Sequence, residues 1–272
     1  MSPTGPLAMI PDAPLPVPER VHELTAGRAL EAVWVNGFGG VTFRDPGPAG
    51  AVRFVKWAAA GAPAEDLAAE AERLTWARAH GARAAELVSV GSDASGAWLI
   101  TVGIPAESAV TDRWREDPER AARGIGAGLR QLHETLPADA CPYSWSVADR
   151  LPGFEARVAR GEAAAEWDQA YRHLSVTEAR ARLQDTPAPD QLVVCHGDAC
   201  APNTLLHADG SFAAHVDLGA LGVADRWADL AVAAWSTEWN YGPGYDHLVY
   251  EGYGVDPDPD RIAYYRMLWD LT

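Results

Sequence analysis

Lysine is all but missing from this chain. Lysine and arginine together number 22, and the one lysine among them is Lys56. Cysteine is scarce as well, with three residues, Cys141, Cys195 and Cys200, in 272. An odd, small number excludes a disulfide-stapled scaffold and predicts reduced thiols in a cytoplasmic protein. Cys195, His196 and Cys200 stand close together, but no fourth ligand follows at a paired spacing, so no zinc site is expected. There is no uninterrupted apolar run of bilayer-spanning length. The opening MSPTGPLAMIPDAPLPVPER lacks the basic start and apolar centre of a signal peptide. Positive charge is in deficit overall: the net charge of −16 excludes a general affinity for nucleic acid or anionic membrane, and favours a cationic partner.

What is present is a globular chain. Hydrophobic residues make up 48% of it and there are 11 tryptophans, enough for a substantial core. Residues 1–20 read as a loose, proline-rich arm. Residues 21–102 read as a β-rich lobe. EAVWVNGFGGVTFR is two strands around a glycine turn, AVRFVKW is a third, and ELVSVGSD and GAWLITVG complete an antiparallel sheet. Between them AEDLAAEAERLTWARAHG has helical spacing, with Gly81 placed to end it. Residues 103–272 read as mostly helical. Ala122, Ile125, Leu129, Leu132 and Leu136 form one stripe over 117–136, and further helices are expected near 164–183, 227–239 and 259–271. The fold class is therefore α+β in two lobes, with LITVGIPAES as the connection between them.

Within the helical part, VVCHGDACAPNTLLHADGSFAAHVDLG (193–219) carries the densest chemistry. An apolar strand leads to Asp198, Asn203 opens the next strand, the Asp-Gly of ADGS turns the chain, and the returning strand ends at Asp217. Folding about that turn sets Asn203 nearly opposite Asp217, with Asp198 at the mouth of the same hairpin. Two carboxylates and an amide oxygen are hard donors suited to Mg²⁺ beside a phosphate. Asp198 and Asn203 also have the spacing of the aspartate and asparagine in a kinase catalytic loop, and Asp217-Leu-Gly stands where kinases have Asp-Phe-Gly. In such an arrangement the third strand supplies a lysine to the ATP phosphates, held by a glutamate of the next helix. Lys56 lies on that strand. With Leu67 and Leu74 as the buried stripe, Glu70 sits about 60° from Leu67 at roughly 100° per residue, while Glu72 points outward. Gly37, Gly39 and Gly40, one strand earlier, offer backbone N–H groups that could cover phosphates.

Together these segments resemble the aminoglycoside O-phosphotransferases, most closely the kanamycin/neomycin and streptomycin kinases acting at a 3′- or 3″-hydroxyl. The matching stretches are VVCHGDACAPN, VDLGALGVADRWADLA, LHETLPADACP, EAERLTWARAHG and RIAYYRMLWDL, in order from about residue 34 to 272. The resemblance implies a bilobal protein-kinase-like fold, ATP and Mg²⁺ as cofactors, a cationic small-molecule acceptor, and a monomer or weak dimer. It implies that Lys56 holds the phosphates and Glu70 orients it, that Asp198 orients or deprotonates the acceptor hydroxyl, and that Asn203 and Asp217 bind Mg²⁺. Thr101 and Gly103 would meet adenine through their backbone, and His196 would be structural. Asp225 and Asp229 would brace the hairpin and cap the helix after it. Glu238, Trp239, Trp269, Asp270 and Thr272 would face the acceptor, with Glu155, Glu162, Glu166 and Asp168 adding negative charge. The chain departs from the pattern at Ala220, where arginine is usual, and at Trp235, Trp239 and Trp269, which stand in a region usually acidic. A kinase of the same fold for another small amine or sugar alcohol is the alternative, followed by an inactive nucleotide-binding module.

A compact ammonium can meet two phosphate oxygens and a carboxylate at once, whereas a planar guanidinium is fixed in its fork. Lys56→Arg should therefore keep the fold and the charge, by circular dichroism and melting, but lose most of the phosphoryl transfer. Near-normal turnover would make the lone lysine a compositional accident.

Overall fold

The structure, a computed structural model, describes residues 8–37, 39–61 and 66–272. It divides into two compact units: Met1–Ala79 with Ala84–Pro105, so far as described, and His80–Arg83 with Ala106–Thr272.

The first unit is built on one antiparallel sheet. Its strands are β1 (Ala8–Met9), β2 (Glu31–Asn36), β3 (Val41–Asp45), β4 (Arg53–Ala59), β5 (Leu87–Asp93) and β6 (Gly96–Val102), in spatial order β1-β2-β3-β4-β6-β5. Two helices accompany it, α1 (Glu19–Leu24) and α2 (Leu67–Ala79). Alternation along β4 assigns its faces. Val55 and Trp57 are buried with Phe43, Trp98, Ile100 and Val21 of α1. The intervening Ala58 packs with Leu99 and with Leu67 and Ala71 of α2, which places Lys56 on the α2 side.

The N-terminal arm is more ordered than its prolines suggest. Residues 1–7 lie outside the described residues, but Ala8↔Asn36 and Met9↔Val35 pair β1 with the sheet edge. Helix α1 begins at Glu19, within the span expected to be arm, and its Val21 is fully buried. Pro18 directly precedes the first turn, where its fixed φ and missing N–H cost nothing.

The second unit holds α3 (Asp112–Glu116), α4 (Pro118–Thr135), α5 (Val147–Ala159), α6 (Val176–Gln184), α7 (Trp227–Tyr241), α8 (Asp246–Tyr253) and α9 (Pro259–Leu271). Short strands run between them: β7 (Glu107–Ser108), β8 (Leu192–Cys195), β9 (Thr204–Leu206), β10 (Phe212–His215) and β11 (Gly222–Asp225). They pair as β10-β9-β7 and β11-β8. The α4 stripe is buried as its spacing requires, with Ala122, Ile125 and Leu129 fully inaccessible. Among the described residues no helix is long and apolar enough to cross a membrane.

The single helix expected near 164–183 is not formed. In that region the chain makes one 3₁₀ turn, Ala164–Glu166, and then α6. Ser175 starts α6 through a capping box with Glu178, a local signal that outweighs helical spacing upstream of it. Helix α5 escapes a reading by spacing because Pro152 looks like a breaker. It persists because Ser146 and Asp149 close a capping box and Phe154 is buried.

Helices α4 and α8 pack backbone to backbone. A Cβ on Gly126 would fall 2.0 Å from the Val249 carbonyl oxygen, and one on Gly252 would fall 2.2 Å from that of Arg123. Neither neighbour is a flexible side chain, so the helices would have to part. Gly126→Ala is therefore expected to cost about 3 kcal/mol or more, and to lower the melting temperature by several degrees in a thermal denaturation. An unchanged melting temperature would show that the contact is not needed.

Candidate active site

Lys56 reaches across from β4 to α2. Its Nζ donates to Glu70 Oε1 and Oε2 at 2.8 and 2.9 Å. The Glu70 side chain is 5% exposed and that of Lys56 21%, so the carboxylate is enclosed while the lysine side chain is partly exposed. A buried carboxylate requires such a partner, whereas Glu72, two residues on, is exposed.

The glycine turn is bonded to itself. Gly39 N–H donates to Asn36 O at 3.0 Å and Gly40 N–H to Asn36 Oδ1 at 2.7 Å, while Gly37 lies on the exposed crest. Gly39 has φ +84°, a conformation that suits glycine. At the end of β6, Thr101 lies in the ladder between Phe54 and Leu87. The N–H of Gly103 donates to Val52 O at 2.8 Å, so Gly103 presents its carbonyl, not its N–H, for any base.

The second unit brings Asp198, Asn203 and Asp217 together by turn chemistry. The ADGS turn closes with Gly210 N–H on His207 O at 2.8 Å, and the strands pair His215↔Thr204. Val216 N–H then donates to Asn203 O at 3.0 Å, so Asn203 and Asp217 meet at the open end of the hairpin. Asn203 closes a 3₁₀ turn and β9 starts one residue later. Its Nδ2 donates to Asp198 O at 2.9 Å and to Asp198 Oδ2 at 3.1 Å. The other carboxylate oxygen of Asp198 accepts from Cys200 Sγ at 3.2 Å, and burial beside Asp198 pushes the Cys200 thiol up, so it stays a neutral donor. Asn203 Oδ1 and the Asp217 carboxylate are then two hard oxygens of the kind Mg²⁺ takes. Asp217 has φ +67° and ψ +52°, a left-handed conformation that aspartate, unlike most non-glycine residues, adopts with some frequency.

The loop that presents Asp198 is anchored from below. Asp229, fully buried on α7, accepts from His196 N at 2.6 Å, Gly197 N at 2.9 Å and His133 Nε2 at 2.9 Å. Burial alone would raise its carboxyl. The hydrogen bond and charge of His133, with the Gly197 N–H, outweigh burial and hold it below the ordinary range. Ala201 N–H donates to Ser236 Oγ at 2.9 Å, a second anchor of the loop on α7. A side chain at Gly197 has no room, since its Cβ would lie 2.2 Å from the Ala220 carbonyl oxygen. His196 spends both ring nitrogens on the backbone, Nε2 with Val216 O at 2.9 Å and Nδ1 with Asp198 N at 3.3 Å, and so is no base. Asp225 caps α7 through Trp227 N at 3.0 Å and also accepts from Asp190 N and Arg261.

The residues expected at the acceptor converge only in part. Trp239 is 45% exposed and stacks on Trp269, with centroids 5.4 Å apart and planes at 30°. Trp235 stands behind both, at 4.8 and 6.2 Å. Asp270 accepts from Asp168 N at 2.8 Å, and burial together with the neighbouring Asp168 and Glu162 charges raises its carboxyl. Glu238 pairs with Arg266 at 3.4 Å, Glu155 with Arg180, and Glu162 with Arg157. Glu166 bonds back to Ala163 N at 3.0 Å. Thr272 Oγ1 accepts from Arg150 Nε at 3.2 Å and donates to Leu268 O. Of the expected acidic pool, Glu155, Glu162 and Glu238 thus answer internal arginines.

Comparison with known proteins follows the same outline. A model of the phosphotransferase enzyme family matches residues 13–265. The chain belongs to that family. This phosphotransferase is 36% identical to an aminoglycoside 3′-phosphotransferase of Streptomyces fradiae over 222 residues, 75% of the chain and 78% of that protein. It is 34% identical to a streptomycin 3″-kinase of Streptomyces griseus over 240 residues, 82% and 86% of the two. Among solved structures, the phosphotransferase superposes on an aminoglycoside-3′-phosphotransferase of type VIII with TM-score 0.77 and 29% identity, over 90% and 93% of the chains. It superposes on APH(3″)-Id of Streptomyces rimosus, solved with ADP and streptomycin, with TM-score 0.73 and 28% identity, over 93% and 97%. The fold is accordingly protein-kinase-like.

Asp229 gives this phosphotransferase a test in acid. Its carboxyl titrates lower folded than unfolded, so its stabilisation is complete above about pH 4 and is lost as pH falls further. Asp229→Asn would turn an amide N–H₂ toward backbone donors. It should be about 3 kcal/mol less stable at pH 7 in denaturant titration, and the difference should narrow below about pH 4. A gap that stays constant with pH would show that the charge carries none of the stability.

Proposed function

We propose that the chain is an ATP-dependent O-phosphotransferase that moves the γ-phosphoryl group onto a hydroxyl of an aminoglycoside antibiotic or its biosynthetic precursor, at a 3′- or 3″-position. The observation that carries this reading is the trio Asp198, Asn203 and Asp217 at one hairpin end, with the loop's backbone tied to a buried carboxylate. The names of the relatives at 34–36% identity supply the acceptor class.

Each group has a task suited to it. Lys56, fixed by Glu70, is the cation that would meet the nucleotide phosphates. Asn203 Oδ1 and Asp217 are the residues that would hold Mg²⁺, which when bound offsets phosphate charge. Asp198 is the acceptor's partner. Its carboxylate is held from two sides by Asn203 and Cys200, so it keeps its aim when the acceptor hydroxyl donates to it. The hydroxyl oxygen attacks the γ-phosphorus, the bond to the β-bridging oxygen breaks to leave ADP, and the hydroxyl proton passes to Asp198. Because the transition state is loose, Asp198 acts chiefly by alignment. Cys141, Cys195 and Cys200 are thiols and form no disulfide among the described residues, which suits the reducing, ATP-supplied cytoplasm where we place the protein.

Coupled ADP release against a panel of aminoglycosides tests the reading, and mass spectrometry with ³¹P–¹H NMR identifies the hydroxyl. Turnover is expected with at least one member, and Asp198→Ala should lower kcat by about 10²-fold or more with ATP affinity near wild type. No turnover with any member, or a loss below about tenfold in Asp198→Ala, removes the assignment.

A further inference from the structure

A polar side chain on the buried face of a helix has to spend its donors and acceptors inside the protein. Ser236 of α7 is such a residue, wholly inaccessible. Its Oγ accepts from Ala201 N at 2.9 Å and from Asn240 Nδ2 at 3.2 Å. The same Nδ2 donates to the Ser236 carbonyl oxygen at 2.8 Å, which settles the amide as a donor toward this side. Two N–H groups therefore occupy the two lone pairs of the hydroxyl. What remains to Ser236 Oγ is its single proton.

That proton goes to Cys200. Burial raises the Cys200 thiol most, and the Asp198 charge raises it further; the hydrogen bond from Ser236 works the other way, as a donor to sulfur must. Cys200 Sγ lies 3.2 Å from Asp198 Oδ1, and since an ionised carboxylate only accepts, the neutral thiol donates. Every bond of the series thus points one way. Asn240 N–H meets Ser236 Oγ, Ser236 O–H meets Cys200 Sγ, and Cys200 S–H meets Asp198 Oδ1. Hydrogen bonds aligned in this manner polarise and strengthen one another.

We propose that Ser236 and Asn240 are positioning residues for the phosphoryl transfer, fixing the direction of the Cys200 S–H and through it the orientation of the Asp198 carboxylate. Oδ1 is answered by Cys200 and Oδ2 by Asn203 Nδ2 at 3.1 Å, so the carboxylate is held at both oxygens. A thiol is a weak donor, and it holds Asp198 while leaving most of its charge for the acceptor's hydroxyl proton. The proposal rests on the reading of Asp198 as the partner of that hydroxyl.

Asn240→Asp keeps the shape of the side chain and turns its donor into an acceptor. The residue is half-buried in the last turn of α7, where the exchange is tolerated. The new carboxylate draws the Ser236 O–H to itself and leaves the Cys200 thiol undirected. By ADP release, kcat should fall about tenfold with the KM for ATP near wild type. In a Cys200→Ala background the same change should add less than about twofold, and Cys200→Ser should recover part of the loss of Cys200→Ala, because a hydroxyl continues the series. An equal loss from Asn240→Asp with and without Cys200 would mean that the new charge acts by another route, and overturns the proposal. Infrared spectroscopy reads the same bond without turnover. The S–H stretching band of Cys200, taken as the difference between wild type and Cys200→Ser, should move to higher wavenumber in Asn240→Asp. An unmoved band overturns the proposal; a moved band in a protein that phosphorylates no aminoglycoside keeps the series and removes the kinase reading.

Discussion

One buried carboxylate organises the second unit. Asp229 is fully buried, and what it receives is the backbone of the loop that presents Asp198. A charge placed where solvent cannot reach must be satisfied by fixed donors, and fixed donors hold a loop still. The two N–H groups of His196 and Gly197 point inward for that reason. Asp198, next in sequence, must then face the other way, and the close approach of Gly197 to the Ala220 carbonyl follows.

The same economy of placement operates in the first unit. A seven-residue strand with period two cannot put Lys56 and Val55 on one face. Once Val55 and Trp57 are drawn inward with Phe43 and Trp98, Lys56 is delivered to α2 without any instruction specific to it. Glu70 arrives there by the helical period. The ion pair is thus a by-product of two hydrophobic patterns, and the ammonium's long apolar stem lets it bridge them.

Much of this was legible in the sequence because it is governed by short-range rules. Strand alternation around Lys56, the wheel position of Glu70 and the Asp-Gly turn between Asn203 and Asp217 each depend on fewer than about twenty residues. What could not be read depends on partners distant in sequence. His133 precedes Asp229 by 96 positions, and nothing local marks it as the partner of that carboxylate. The pairing of Glu162 with Arg157 and of Glu238 with Arg266 likewise withdraws charge from a pool that composition counts as open. Helix α5 is not among the helices expected from spacing; it holds Pro152 in its interior and is started by the Ser146–Asp149 capping box, with Phe154 buried. The ordering of the arm had no signal at all beyond a dipeptide able to extend a sheet edge.

The self-bonded glycine turn has a kinetic and selective meaning. Asn36 Oδ1 occupies the Gly40 N–H with a neutral amide oxygen, which is a stand-in for whatever anion would lie there. Entry of a ligand is then an exchange of acceptors. Charge-assisted hydrogen bonds are roughly twice as strong as neutral ones, so an anion would compete for that N–H better than an uncharged solute. A turn tied in this way carries its own placeholder: the Gly40 N–H is answered by a neutral acceptor that can be exchanged without the backbone having to refold.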